Sequence, residues 1–308
     1  MGTSAVSGIS GLSALRGQLG RGLFTRVAGP DGPRNRARIH ETPGPRWFEP
    51  ERPIRRVHGD ASMFIGGLSA LLLQSLHPLA MAAVAAHSGY RGDPWGRLQR
   101  TSTFLATTTY GTAEHARQAC EQVRSVHERI QGFTVDGDEY HAADPHLLGW
   151  VHAAEIDSFL RAHQRYGTNP LSDDGCDGYI ADTARIATEL GVPDPPRNRA
   201  ELAELFASYQ PELRATAQAR EAARFLLLNP PVPLAVRLPY GVLAANAVSL
   251  LPSWAARALR LPRLPVVDEW CVRPMGSAVT SAVRWVMAPS RPTTTSTTST
   301  TSTTSTTG

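Results

Sequence analysis

The chemistry that this sequence can perform rests first on its histidines. There are ten. His77, His87, His127 and His152 fall inside apolar helical patterns, where a neutral imidazole acts as a hydrogen-bonding group or a metal ligand. His127 has the most favourable surroundings. At helical spacing Ala116, Cys120, Val123 and Ile130 share its face, all small or apolar, while Arg117, Glu121, Gln122, Glu128 and Arg129 lie opposite. An inward-facing imidazole beside small residues has room for a bulky, flat partner, and suits axial ligation of haem iron. A histidine bonded to a neighbouring helix's carbonyl fits the same pattern. His40 and His58 precede the apolar core and are expected near the surface. His115, His141, His146 and His163 sit among polar residues and are expected to be solvated.

A second constellation is Arg97-Leu98-Gln99-Arg100-Thr101. Arg97, Arg100 and Thr101 are helical neighbours, and the segment runs on into the apolar, hydroxyl-rich FLATTTYGT. Two guanidinium groups in such company need anionic partners. Propionates, a substrate carboxylate or buried acids would all serve, and an internal salt-bridge network satisfies the residue types equally well. Other chemistries lack their residues. There is no repeated Glu-x-x-His for a di-iron bundle, and His152-Ala-Ala-Glu155 has the reverse order and stands alone. No H-E-x-x-H, G-x-S-x-G or phosphate-binding loop occurs.

The elements that must position these groups are helical. Ala61 to Ser88 is long and apolar, but His77-Pro78 interrupts it, which predicts two buried helices meeting there rather than a membrane span. Asp93-Pro94 predicts a helix to about Thr109. Gly111 breaks the chain, and Thr112 caps a helix that runs to about Gln131 and stops at Gly132. Asp144-Pro145 opens a helix to Tyr166, ended by Gly167. Further helical patterns cover about 173–190, 198–208, 212–228, 232–250, 253–260 and 275–287. Strand alternation is absent. Residues 1–50, rich in Gly, Pro, Ser and Arg, read as a loosely ordered arm draped over a helical domain at 51–290. Residues 291–308, chiefly Thr and Ser, read as a disordered tail.

Composition bounds the function. With 308 residues, 42% of them hydrophobic, the chain can bury a sizeable core. All 31 basic residues are arginine, the net charge is only +4, and the arginines are dispersed among acids, which argues against nucleic-acid binding. Three cysteines without a C-x-x-C pair fit a reducing compartment. No secretory signal is read, so a cytoplasmic protein is expected, with peripheral membrane contact as an option.

The blocks RVHGD, LLLQSLHPLAMAAVAAHS, DPWGRLQRTSTFLATTTYGT, VRSVHERIQG, YHAADPHLLGWVHAAEIDSF and LPYGVLAANAVSLLP resemble, in order over about residues 50–260, the MpaB-type and latex-clearing-protein (rubber oxygenase) family. The resemblance implies an all-α, single multi-helix domain binding haem b non-covalently. It implies His127 as the iron ligand, Arg97 as structural or propionate-facing, and Thr101 with Arg100 on the catalytic, distal side. Cys120, Val123 and His152 would line the cofactor, His152 by packing or by donating a hydrogen bond behind the ligand. In the rubber oxygenases a lysine stands where this chain has Arg100, and arginine is a poor iron ligand. Their catalytic glutamate also has no counterpart, since no glutamate lies between Arg52 and Glu114. That role is empty or falls to His77, His87 or Asp93. The expectation is an oxidoreductase, a haem b oxygenase using O2 on an apolar alkene-like small molecule other than polyisoprene, with an electron donor if one is needed. A non-catalytic haem- or lipid-binding protein is the alternative.

Overall fold

The computed structural model describes residues 3–89, 92–263 and 265–288. In chain order its elements are α1 (Thr3–Ala28), α2 (Gly32–Glu41), α3 (Pro53–His58), α4 (Met63–Gln74), α5 (Pro78–His87), α6 (Pro94–Tyr110), α7 (Ala113–His127), β1 (Gln131–Phe133) and β2 (Glu139–His141). There follow α8 (Pro145–Tyr166), α9 (Asp173–Leu190), α10 (Arg199–Tyr209), α11 (Ala217–Leu228), α12 (Leu234–Leu250), α13 (Ser253–Ala258), α14 (Pro265–Val267) and α15 (Arg273–Met287). A π-helical turn at Asp268–Val272 joins the last two. The only sheet among the described residues is the antiparallel pair β1–β2, with Gly132 opposite Tyr140. The fold is all-α, as expected.

Helix starts follow local chemistry. Asp93 accepts the Gly96 N–H at 2.8 Å, Thr112 Oγ1 accepts the His115 N–H at 3.2 Å, and Asp144 accepts the His146 N–H at 2.9 Å. Each satisfies a donor that the first helical turn leaves unpaired. At His77-Pro78 the chain turns by 110° between α4 and α5. No single described helix is long and apolar enough to cross a membrane. The bent α4–α5 pair qualifies by length and composition only.

α8 is the central helix. Trp150, Ala153, Ala154, Ile156, Phe159 and Ala162 are all buried along it, and α4 packs down its length. Gly66 makes that approach possible: a Cβ there would lie 2.9 Å from Phe159 Cδ1 and 3.2 Å from Ala162 Cβ. The Trp150 end of α8 packs with Leu72, Leu73 and Leu76, and the Phe159 end with Ile54, Val57 and Tyr179.

Three expectations differ from the structure. Within residues 1–50, read as a loose arm, lie α1 and α2, and α3 follows. Gly- and Ser-rich α1 has weak intrinsic propensity; it is held from outside, against α6 and α15. Ser102 Oγ donates to the Val27 carbonyl at 2.8 Å and Gln99 Nε2 to the Arg26 carbonyl at 3.2 Å, which satisfies carbonyls at its C-terminus. α7 ends at His127 rather than near Gln131, because Gln131–Phe133 pairs with Glu139–His141. α11 starts at Ala217 rather than near 212, where Thr216 accepts the Ala219 N–H. The tail at 291–308 lies outside the described residues.

Candidate functional site

α6 and α7 pack as a pair joined at Gly111-Thr112. Arg97 and His127 each lie about four turns from that corner, so both belong to the open end of the pair. His127 closes α7. Its ring is half-buried, and burial lowers its pKa, which keeps it neutral. The ring makes no hydrogen bond or ion pair among the described residues. Cys120 and Ala116, on the same face, are fully buried, and Val123 is half-buried. Burial pushes the Cys120 thiol up to about 12, so it is inert packing.

The α6 residues sit nearer solvent. Arg97 is half-buried, and its Nη1 donates to Ser88 Oγ at 3.3 Å. Arg100 is exposed and pairs with exposed Asp93 at 3.3 Å, and Thr101 is exposed. Arg100 is therefore in no buried salt-bridge network. One face of this end of α6 is covered by the C-terminal end of α1, where Arg26 lies over the Trp95 ring at 5.1 Å.

Phe104 and Leu105 of α6, Ala116 and Cys120 of α7, and Ile156 and Phe159 of α8 belong to one apolar cluster, with Met63 packed against it. α8 contributes two polar groups one turn apart, His152 and Glu155. His152 Nε2 is buried with no partner, and burial pushes the ring down to about 4. Glu155 makes no hydrogen bond or ion pair among the described residues, and burial pushes its carboxyl up to about 7. Both lie deep, yet neither is fully packed. Unpaired polar groups at such depth are costly, which points to a purpose other than packing.

Glu155 is the group that sequence reasoning passed over. The candidates to replace the missing family glutamate were His77, His87 and Asp93. His87 is exposed and bonds Tyr140 OH at 3.2 Å, Asp93 is a helix cap, and His77 bonds Glu212. The signal was present in WVHAAEIDSF, where helical spacing turns Glu155 to the same side as His152.

Two histidines expected near solvent lie inside. His58 bonds Thr109 Oγ1 at 2.8 Å and Tyr179 OH at 3.3 Å and stands edge-on to Phe159; burial pushes it down to about 3. His163 is 1% exposed. His40 and His141 are exposed, as expected, His115 is half-buried, and half-exposed His146 bonds Glu212.

On the central helix of a mainly helical domain, His152 and Glu155 lie one turn apart, and neither side chain has a hydrogen-bond partner among the described residues. Residues 55–285 match the family described as ER-bound oxygenase mpaB/B'/rubber oxygenase, catalytic domain. The chain belongs to that family. No curated protein and no solved structure matches it.

Proposed function

We propose that this protein is a haem b-dependent oxygenase acting with O2 on an apolar small molecule, an alkene or another electron-rich carbon compound. The observation that carries the haem assignment is the His127 ring: neutral through burial, without a hydrogen-bonding partner among the described residues, and inside the stretch that matches the family. His127 would hold the iron, Arg97 would face the propionates, and Arg100 with Thr101 would lie on the distal side. Haem bound there would supply O2 activation.

The chain's own residues supply the rest. Phe104, Leu105 and Met63, partly buried against the core cluster, would give the substrate apolar surroundings and exclude water. Glu155, titrating near 7, can take a proton at its carboxyl oxygen and return it. His152 stays neutral one turn away and can accept a hydrogen bond at Nε2. Thr101 offers a hydroxyl at the α6 edge. Arg100, paired with Asp93, stays charged and so is no substitute for a lysine ligand.

Expression with haem supply and a visible spectrum test the cofactor. A Soret band is expected, and His127→Ala should lose most of the haem; unchanged haem content overturns the assignment. Oxygen uptake with candidate substrates tests the reaction. Glu155→Gln should keep its haem and lose roughly 100-fold in substrate-dependent uptake. Haem binding with no substrate-dependent uptake would instead make the protein a haem carrier.

A further inference from the structure

His77, His146 and Glu212 come from three separate parts of the chain. His77 stands between α4 and α5, His146 lies in the first turn of α8, and Glu212 follows α10. One ligand atom from each lies within 4.8 Å of the others. His77 Nε2 is 3.2 Å from Glu212 Oε2, and His146 Nε2 is 2.9 Å from both carboxylate oxygens.

Both rings are held in place by their surroundings. His77 is 2% exposed, between Trp150 and Tyr209 at centroid distances of 6.5 and 6.3 Å. Trp150 is itself fixed, its Nε1 donating to the Gln74 carbonyl at 3.1 Å. His146 lies 4.6 Å from the Tyr209 ring, and Tyr209 OH donates to the His146 carbonyl at 2.6 Å. The Glu212 N–H donates to the Tyr209 carbonyl at 2.9 Å. Tyr209 thus contacts both imidazoles and the Glu212 backbone. His77 Nδ1 is buried without a partner. Packing, rather than the outer hydrogen bond usual for a ligating histidine, orients this ring.

The same contacts would fasten three segments as plain hydrogen bonds. That account needs only separate contacts of each ring with the carboxylate, whereas here one ligand atom from each of the three side chains lies within 4.8 Å of both others. We propose that His77, His146 and Glu212 form a zinc site with its fourth position open to solvent. Zinc takes nitrogen and carboxylate ligands at about 2.0–2.2 Å, so neighbouring tetrahedral ligand atoms lie about 3.3 Å apart. The 2.9 and 3.2 Å separations approach that spacing, and the half-exposed His146 and Glu212 side chains can open it by small rotations. Two imidazoles select a transition ion over Mg2+ or Ca2+, which prefer oxygen. The ion enters from the His146 and Glu212 side. Once bound, it ties the start of α8, the helix bearing His152 and Glu155, to the α4–α5 corner and to the loop after α10. The site uses none of the residues assigned to haem and does not depend on that assignment.

The test is Zn2+ added to the chelator-treated full-length chain, with bound metal measured directly and Co2+ as a coloured substitute. One equivalent of Zn2+ is expected, with Co2+ giving the visible absorption of a four-coordinate ion. The Tm should rise by roughly 3–8 °C at about a hundredfold excess over Kd. His146→Ala and Glu212→Gln, both at half-exposed positions, should each weaken binding about tenfold or more. His127→Ala should leave zinc binding unchanged. No stoichiometric binding, or equal binding by the His146 and Glu212 variants, overturns the proposal.

Discussion

At the residue scale, Glu155 makes a measurable claim about proton binding. In the folded chain its carboxyl keeps a proton up to about pH 7, against an ordinary value of 4.5. Below pH 4.5 both folded and unfolded chains hold that proton, and folding carries no penalty. As pH rises through 7 the folded chain must bury a charge or keep a proton that the unfolded chain has released, so stability falls. Glu155→Gln should therefore stabilise the protein by on the order of 3 kcal/mol at pH 8.5 and by little at pH 4. Urea unfolding at the two pH values measures it, and an equal effect at both would show that Glu155 is not buried as an acid. A gain in stability joined to a loss of oxygen uptake is the pattern of a group kept for function. The buried face of α7 was legible because Ala116 and Cys120 repeat along one helix. His58 was misread because Tyr179, Thr109 and Phe159 are its neighbours only in space, and His163 because tertiary packing buries it although polar residues flank it in sequence.

At the element scale, what was legible followed the range of the forces. Asp93, Thr112 and Asp144 cap helices through N–H groups two or three residues away, so those starts are visible in sequence. β1 and β2 are three residues each and pair across a turn, with too little alternation to announce themselves. α1 owes its place to α6 and α15, which no local pattern records. The α4–α8 contact is a second non-local feature, and it can be tested by paired substitutions. Gly66→Ala places a Cβ 3.1 Å from Phe159 Cα, backbone that cannot step aside, and should destabilise by about 1–3 kcal/mol despite alanine's better helix propensity. Gly67→Ala, whose Cβ would lie 3.9 Å from Phe159 Cε1, should stabilise by about 0.5–1 kcal/mol. Denaturant midpoints for the pair decide it; the same sign for both would mean that α4 does not approach α8 this closely.

At the scale of the whole molecule, the C-terminal helix is clamped onto the start of the core. Arg284 of α15 meets Asp60, between α3 and α4, through Nε at 2.9 Å and Nη2 at 2.8 Å, a two-point pair largely shielded from water. Arg284 also donates to the Tyr166 carbonyl at the end of α8. α1 lies against α15 in turn, with Arg16 over the Trp285 ring at 5.6 Å, so the two ends of the described chain and the core share this clamp. Burial alone would raise the Asp60 pKa, but the bonds from Arg284 and from the Ser62 N–H outweigh it and hold the carboxyl at about 2, against an ordinary 3.8. A depressed carboxylate contributes stability that is fully present above about pH 4 and is lost as pH falls toward 2. Asp60→Asn should cost on the order of 3 kcal/mol at pH 7, and the gap from the parent protein should narrow by on the order of 2 kcal/mol between pH 5 and pH 2. Unfolding followed along that pH range reads the gap directly. A gap that stayed constant would place the Asp60 contribution in shape rather than charge, and would release α15 from the role of clamp.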